Sequence, residues 1–125
     1  MYSERVVDHF TNPRNVGVVE NADGQGQDSN PACGDFTRMT VRVSDGKIAE
    51  AKFKTFGCSA AIASASIVTT LAVGKDVDAA ARLSAEDVLR ALGGLPANKE
   101  GCALMAAGAL RSAVADAAMR LGVSR

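Results

Sequence analysis

The chain has 125 residues, 47% of them hydrophobic and only 4% aromatic, which suits one domain over residues 1–125 with a core of small aliphatic side chains. Lysine plus arginine equals aspartate plus glutamate, 14 against 14, so there is no electrostatic footprint for nucleic acid or an anionic membrane. No apolar run reads as long enough to span a bilayer, and "MYSERVVDHF" lacks the basic-then-apolar order of a signal peptide, so the expected setting is the cytoplasm, with reduced thiols.

The first element is a short amphipathic helix within residues 1–11. Ser3 is its cap, Val6, Val7 and Phe10 share a side, and Asn12-Pro13 stops it. Residues 12–34 are rich in glycine and asparagine with little periodicity, which predicts a long mobile loop. "FTRMTVRV" then alternates, with Met39, Val41 and Val43 opposite Arg38, Thr40 and Arg42. Asp45-Gly46 is a strong hairpin signal. "KIAEAKFKTF" alternates again, with Ala49, Ala51 and Phe53 opposite Glu50, Lys52 and Lys54. These two strands form an antiparallel pair with one buried face.

The period changes at "CSAAIASASIVTTLAV". Ala60, Ile67, Val68 and Leu71 mark one helical face, with serines and threonines opposite, and Gly74 ends the helix. Residues 76–83 form another helical segment. Ser84 and Asp87 make a capping box for the next helix, which closes on Gly93-Gly94. "LPANKEG" is a loop. The last helix, from Ala103 to Leu121, carries Leu104, Ala107, Leu110, Val114, Ala117 and Leu121 on one stripe. A hairpin followed by helices predicts an α+β two-layer domain.

Three cysteines fall at boundaries between loops and regular elements: Cys33 in "PACGD", Cys58 in "FGCSA" and Cys102 in "EGCAL". An odd number of widely spaced cysteines is not a disulfide framework. Cys58 and Cys102 lie near expected helix N-termini, where amides and the helix dipole favour a thiolate. Gly34, Gly57 and Gly101 flank the three and allow close backbone approach to a bulky ligand. Each cysteine taken alone is equally a small core residue. Asp35 is the fourth candidate ligand, although an aspartate after glycine is also an ordinary solvated turn residue. Three sulfurs and one oxygen would hold an iron–sulfur cluster and still release it, because a carboxylate is a harder, weaker partner for soft metals. Lys99 is either solvated, a group that lowers a thiol pKa, or a partner of Asp35. His9, the single histidine, reads as structural or surface-exposed.

"MYSERVVDHFTNPRNVG", "PACGD", "FKTFGCSAAIASASIVT" and "LGGLP…C" together resemble the IscU/NifU N-terminal family of iron–sulfur cluster assembly scaffolds, from Tyr2 to about residue 119. The resemblance implies a small antiparallel sheet of about three strands with helices on one face, and a site at one end where the cysteines meet. It implies a scaffold more than an enzyme. A cysteine desulfurase delivers persulfide sulfur to the position of Cys102. Iron binds among Cys33, Asp35 and Cys58. A ferredoxin-type donor supplies electrons, and the 2Fe–2S cluster passes to acceptor apoproteins. The family commonly has a histidine at the position of Gly101, so Asp35 is expected to complete the ligand set here, with an external thiol as the other choice. In "LPANK", Leu95, Pro96 and Lys99 match the segment read by an Hsp70-type chaperone, while Ala97 and Asn98 depart from it, so the likeness does not extend to chaperone-assisted release. The alternative within the superfamily is a SufU-like zinc-dependent sulfur acceptor, with zinc in the cluster-free form. The residues between Gly74 and Leu95 are too compact for the insertion of that branch. Whether two chains share one cluster as a homodimer stays open.

Overall fold

The computed structural model describes residues 2–31 and 34–122. Cys33 therefore lies outside the described residues. Among those described, three antiparallel strands form one sheet, β1 (Gly24–Asn30), β2 (Asp35–Ser44) and β3 (Lys47–Phe56), in the order β1-β2-β3. The helices are α1 (Glu4–Thr11), α2 (Ser59–Ala72), α3 (Val77–Ala81), α4 (Ala85–Leu92) and α5 (Glu100–Leu121), with a 3-10 turn at Ala97–Lys99 leading into α5. The helices pack on one face of the sheet, giving the two-layer α+β architecture.

The β2–β3 hairpin follows from its residues. Asp45 and Gly46 both take left-handed backbone angles, φ 54° and 73°, as a tight primed turn demands. Met39, Val41, Ala51 and Phe53 are buried against the helices. One detail departs from simple alternation. The register passes from Arg42↔Glu50 to Val43↔Ile48, so Ala49 is the extra residue of a bulge. That bulge turns Ile48 inward beside Ala51 and leaves Ala49 half-buried.

The reading of residues 12–34 as one loop is corrected by β1. "GQGQDSN" has almost no strand propensity of its own. It forms a strand because the sheet and α5 both need its small size. A Cβ at Gly24 would lie 2.3 Å from the Ala113 carbonyl oxygen, and one at Gly26 would lie 2.4 Å from the Ala113 nitrogen. Glycine lets the strand lie directly on the helix backbone. The Gln25 amide donates to Asp116 Oδ2 at 2.9 Å, which also blunts this edge of the sheet. The segment before β1 is tied down as well. Gly17 N–H donates to the Phe53 carbonyl, Phe53 N–H to that of Asn15, and Asp23 N–H to that of Val41. Val19 N–H donates to Thr40 Oγ1, and this contact buries Thr40, a residue expected to face water.

The helix α2 also differs from its expected one-sided pattern. Ser64, Ser66 and Thr69 are as fully buried as Ala60 and Val68. The helix is covered by α1, α5 and the sheet, and small polar residues fit where several neighbours crowd in. Thr69 Oγ1 donates to the Ser66 carbonyl and accepts from Asn15 Nδ2. In α5, Ala107, Leu110, Val114 and Ala117 are buried, whereas Leu104 and Leu121 are exposed. Residues 97–121 are apolar and long enough to cross a membrane by length and composition alone, contrary to the sequence reading; 61% of the apolar window is buried within the domain, as expected of a core helix.

The capping box at α4 forms as its sequence predicts. Ser84 Oγ accepts from Asp87 N–H, and the Asp87 carboxylate accepts from Ser84 N–H. Ser3 Oγ both caps α1, accepting from Val6 N–H, and donates to the Leu92 carbonyl, which fastens α1 to α4.

His9 is structural. Its ring is buried, with Nδ1 2.7 Å from Ser66 Oγ, and Arg14 N–H donates to the same hydroxyl. The Ser66 hydrogen is thus assigned to Nδ1 of a neutral imidazole. Burial is the main cause that holds the His9 pKa below its ordinary value, with the Arg14 charge adding and Asp8 opposing. A base with a depressed native pKa contributes stability that is complete above the unfolded pKa, about 6.5, and declines as pH falls below it. The melting temperature is therefore expected to drop between about pH 7 and about pH 5. In a His9→Gln variant that drop should be smaller. Equal slopes for both proteins would show that His9 is not the group responsible.

Candidate functional site

At one end of the helical layer the chain brings Asp35, Cys58 and Cys102 together. Asp35 is the first residue of β2 and continues the inward-facing row of Thr37, Met39 and Val41. The row runs past the core, so its last member is a buried carboxylate, 6% exposed. Cys58 is the N-cap residue of α2, in extended conformation and with no capping hydrogen bond from its side chain. Cys102 lies in the first turn of α5 and is fully buried. Below it a small apolar cluster of Ala60, Ala61, Met105 and Cys102 forms a floor, edged by Tyr2 and Leu95.

The three ligand-type atoms make a nearly equilateral triangle. Cys58 Sγ is 3.7 Å from Asp35 Oδ2 and 3.9 Å from Cys102 Sγ, and Cys102 Sγ is 3.9 Å from Asp35 Oδ2. A point equidistant from three atoms so spaced lies about 2.2 Å from each, the side divided by the square root of three. Metal–thiolate and metal–carboxylate bonds fall at about 2.3 Å and about 2.0–2.2 Å. The triangle therefore has the dimensions to hold a metal ion.

Two of the flanking glycines have steric roles. A Cβ at Gly57 would lie 2.7 Å from Asp35 Cγ and 3.1 Å from the Ala61 Cβ, so glycine at 57 is what lets the carboxylate reach the thiols. A Cβ at Gly101 would lie 2.9 Å from Asn30 Nδ2. The space over the first turn of α5 is thus occupied by the side chain of Asn30, a neighbour of the site that the sequence reading missed. No motif marks it; only the pairing of Asn30 with Asp35 across β1 and β2 places it there. Gly34, with φ 71°, turns the chain into β2.

In a Gly57→Ala protein the added methyl must push Asp35 aside. Metal affinity is expected to fall about tenfold or more, with about 1–3 kcal/mol lost in stability. Unchanged metal affinity in a titration would show that Asp35 is not held by this contact.

The thiolate expected from helix N-termini is corrected at Cys102. Burial is the main cause that pushes its pKa up to about 12, and neighbouring Cys58 and Asp35 add to the rise while Lys99 opposes it. Dipole and amides at the start of α5 do not offset removal from water. Lys99 Nζ lies 3.7 Å from Cys58 Sγ, so the lysine reaches the thiol pair.

The fold and the site define an α+β domain with a largely buried thiol–carboxylate triangle at the ends of two helices and a strand. The chain belongs to the NifU-like N terminal domain family, whose model matches residues 1–122. It is 50% identical over 116 residues to the iron-sulfur cluster assembly scaffold protein IscU 1 of Archaeoglobus fulgidus, covering 93% of this chain and 76% of that one. It is 44% identical over 119 residues to the iron-sulfur cluster assembly scaffold protein IscU of Escherichia coli K12, covering 92% of each. Among solved structures, a SUF-system protein, SufU, of Fervidobacterium islandicum superposes with a TM-score of 0.72 over 90% of this chain and 96% of its own, at 23% identity, a likeness of fold.

Proposed function

We propose that this protein is a platform on which a 2Fe–2S cluster is built and from which it is handed to apoproteins. The observation that carries the reading is the triangle of Asp35, Cys58 and Cys102, 3.7–3.9 Å on a side, in a chain whose relatives are named as scaffolds for that assembly. Cys33 is assigned as the further ligand. It stands two residues before Asp35, which limits the separation of their α-carbons to about 7 Å.

Iron and sulfide are cargo here, and the chain's own groups act as follows. Cys102 receives sulfur from a cysteine desulfurase. The Cys102 sulfur attacks the outer sulfur of the donor's persulfide as its thiol proton passes to the departing donor sulfur; the donor S–S bond breaks, a new S–S bond forms on Cys102, and the donor leaves as a thiol. No net oxidation or reduction occurs in that exchange. Reducing each delivered sulfur to sulfide takes a pair of electrons, supplied by a ferredoxin-type donor. Cys33, Asp35, Cys58 and Cys102 hold iron as it arrives, and their thiol protons leave as metal binds. Lys99, beside Cys58, stabilises the negative charge that the thiols then carry. The donor set of sulfurs with one hard oxygen is strong enough to collect the ions and weak enough to release the product.

The test is composition. The protein isolated without oxygen, after incubation with iron, cysteine, a desulfurase and a reductant, should be red-brown and contain iron and acid-labile sulfide in equal amounts. A colourless protein holding a zinc ion and no sulfide under those conditions would replace this reading with that of a zinc-dependent sulfur acceptor.

A further inference from the structure

A cleft with apolar residues in its lining lies away from the sulfur site. It lies near the C-terminal end of α2, and α2 is 14 residues long, which places Cys58 about 20 Å away. Its volume is about 530 Å³, and its walls come from α1, α2, α3 and α4. That volume is in the range of small-molecule sites.

The charges around it are one-sided. Arg5, Lys75, Arg82 and Arg90 line the cleft, in a chain whose charges balance overall. Asp87 is the one acidic residue on its wall, and that carboxylate is engaged by the backbone and hydroxyl of Ser84 and by Arg90. Arg5 is held in place through its bond to the Ala91 carbonyl, 3.0 Å, and Arg90 through Glu86. Lys75 and Arg82 make no ion pair among the described residues. Two cations are thus fixed and two are uncommitted around the same hollow. The floor is apolar, with Leu71 and Leu83, and a bare inorganic anion would leave it unused.

We infer that this cleft binds a small multiply charged anion with an apolar or aromatic face, of the size and chemistry of a nucleoside diphosphate. The phosphates would lie among Lys75, Arg82 and Arg5, and the flat body would cover Leu71 and Leu83. Such a site is separate from the thiol–carboxylate triangle and does not depend on the assembly reading.

The test uses the full chain in calorimetric or NMR titrations with ADP, pyrophosphate and adenosine. ADP is expected to bind with a dissociation constant below about 1 mM, and to weaken as salt rises from about 0.05 M to about 0.5 M. Pyrophosphate, with charge but no body, should bind less tightly, and adenosine, with body but no charge, not detectably. The double variant Lys75→Glu/Arg82→Glu should lose about tenfold or more in ADP affinity, with an unchanged melting temperature and unchanged iron and sulfide loading. The variant Cys102→Ser should bind ADP normally. If neither ADP nor pyrophosphate binds below about 5 mM, or if the double variant binds ADP as well as the parent, the inference is overturned. Equal affinity for ADP and pyrophosphate would overturn the role given to the apolar floor.

Discussion

Incubated with a cysteine desulfurase and free cysteine, the Cys102→Ser protein is expected to carry no sulfane sulfur, a drop on the order of a thousandfold or more in loading rate. A serine hydroxyl at this place has no base to activate it and cannot form a persulfide. The triangle loses one corner, while Asp35 and Cys58, 3.7 Å apart, still offer a site for iron. Iron binding should therefore weaken without vanishing. Mass spectrometry of the incubated protein decides the matter, since each added sulfur raises the mass of one peptide. If loading persists at the parental level, the acceptor is Cys58 or Cys33, and the role given to the first turn of α5 is wrong.

Changing Asp35 to alanine should make an assembled cluster harder to extract. The carboxylate lies 3.7 Å and 3.9 Å from two sulfurs that become anionic when they hold metal. Like charges at such separations repel by about 4 kcal/mol per pair near a protein surface, where the effective dielectric is about 20. Removing the carboxylate relieves that repulsion and removes the donor that an incoming acceptor thiol displaces most readily. Transfer to an apoprotein is expected to slow by about tenfold or more. The measurement is the loss of visible absorbance when a chelator or an apo-ferredoxin is added. Faster transfer from the alanine protein would reverse the assignment of Asp35 as the yielding ligand.

Much of the fold is written locally in the sequence. The hairpin is legible because Asp45-Gly46 and the flanking alternation agree, and α4 because Ser84 and Asp87 sit at capping-box spacing. The strand β1 is not legible, since Gly24 and Gly26 read as loop residues until α5 is laid against them. Its existence is a tertiary fact, and propensity scales carry no trace of it. The serines of α2 misled for a similar reason: Ser64 and Ser66 look like a wet face, but α1 and α5 close over them. At the site, glycine beside cysteine was read as room for a bulky ligand, whereas the nearest atom to an added Cβ at Gly57 belongs to Asp35. The raised pKa of Cys102 was not legible, because its burial is completed by Ala60 and Ala61 from another helix. Asn30 carries no sequence signal of any kind.

The fit of β1 against α5 reaches further than the sheet edge. The last residue of that strand, Asn30, pairs with Asp35, and the helix pressed on it carries Cys102 in its first turn. The carboxylate of Asp35 and the sulfur of Cys102 thus inherit their relative placement from a seam of glycine on alanine with no room for an intervening methyl. Widening the seam at Gly24 or Gly26 would pull the reactive end apart from a distance, so a defect in cargo handling could arise from substitutions that touch none of the groups in contact with the cargo.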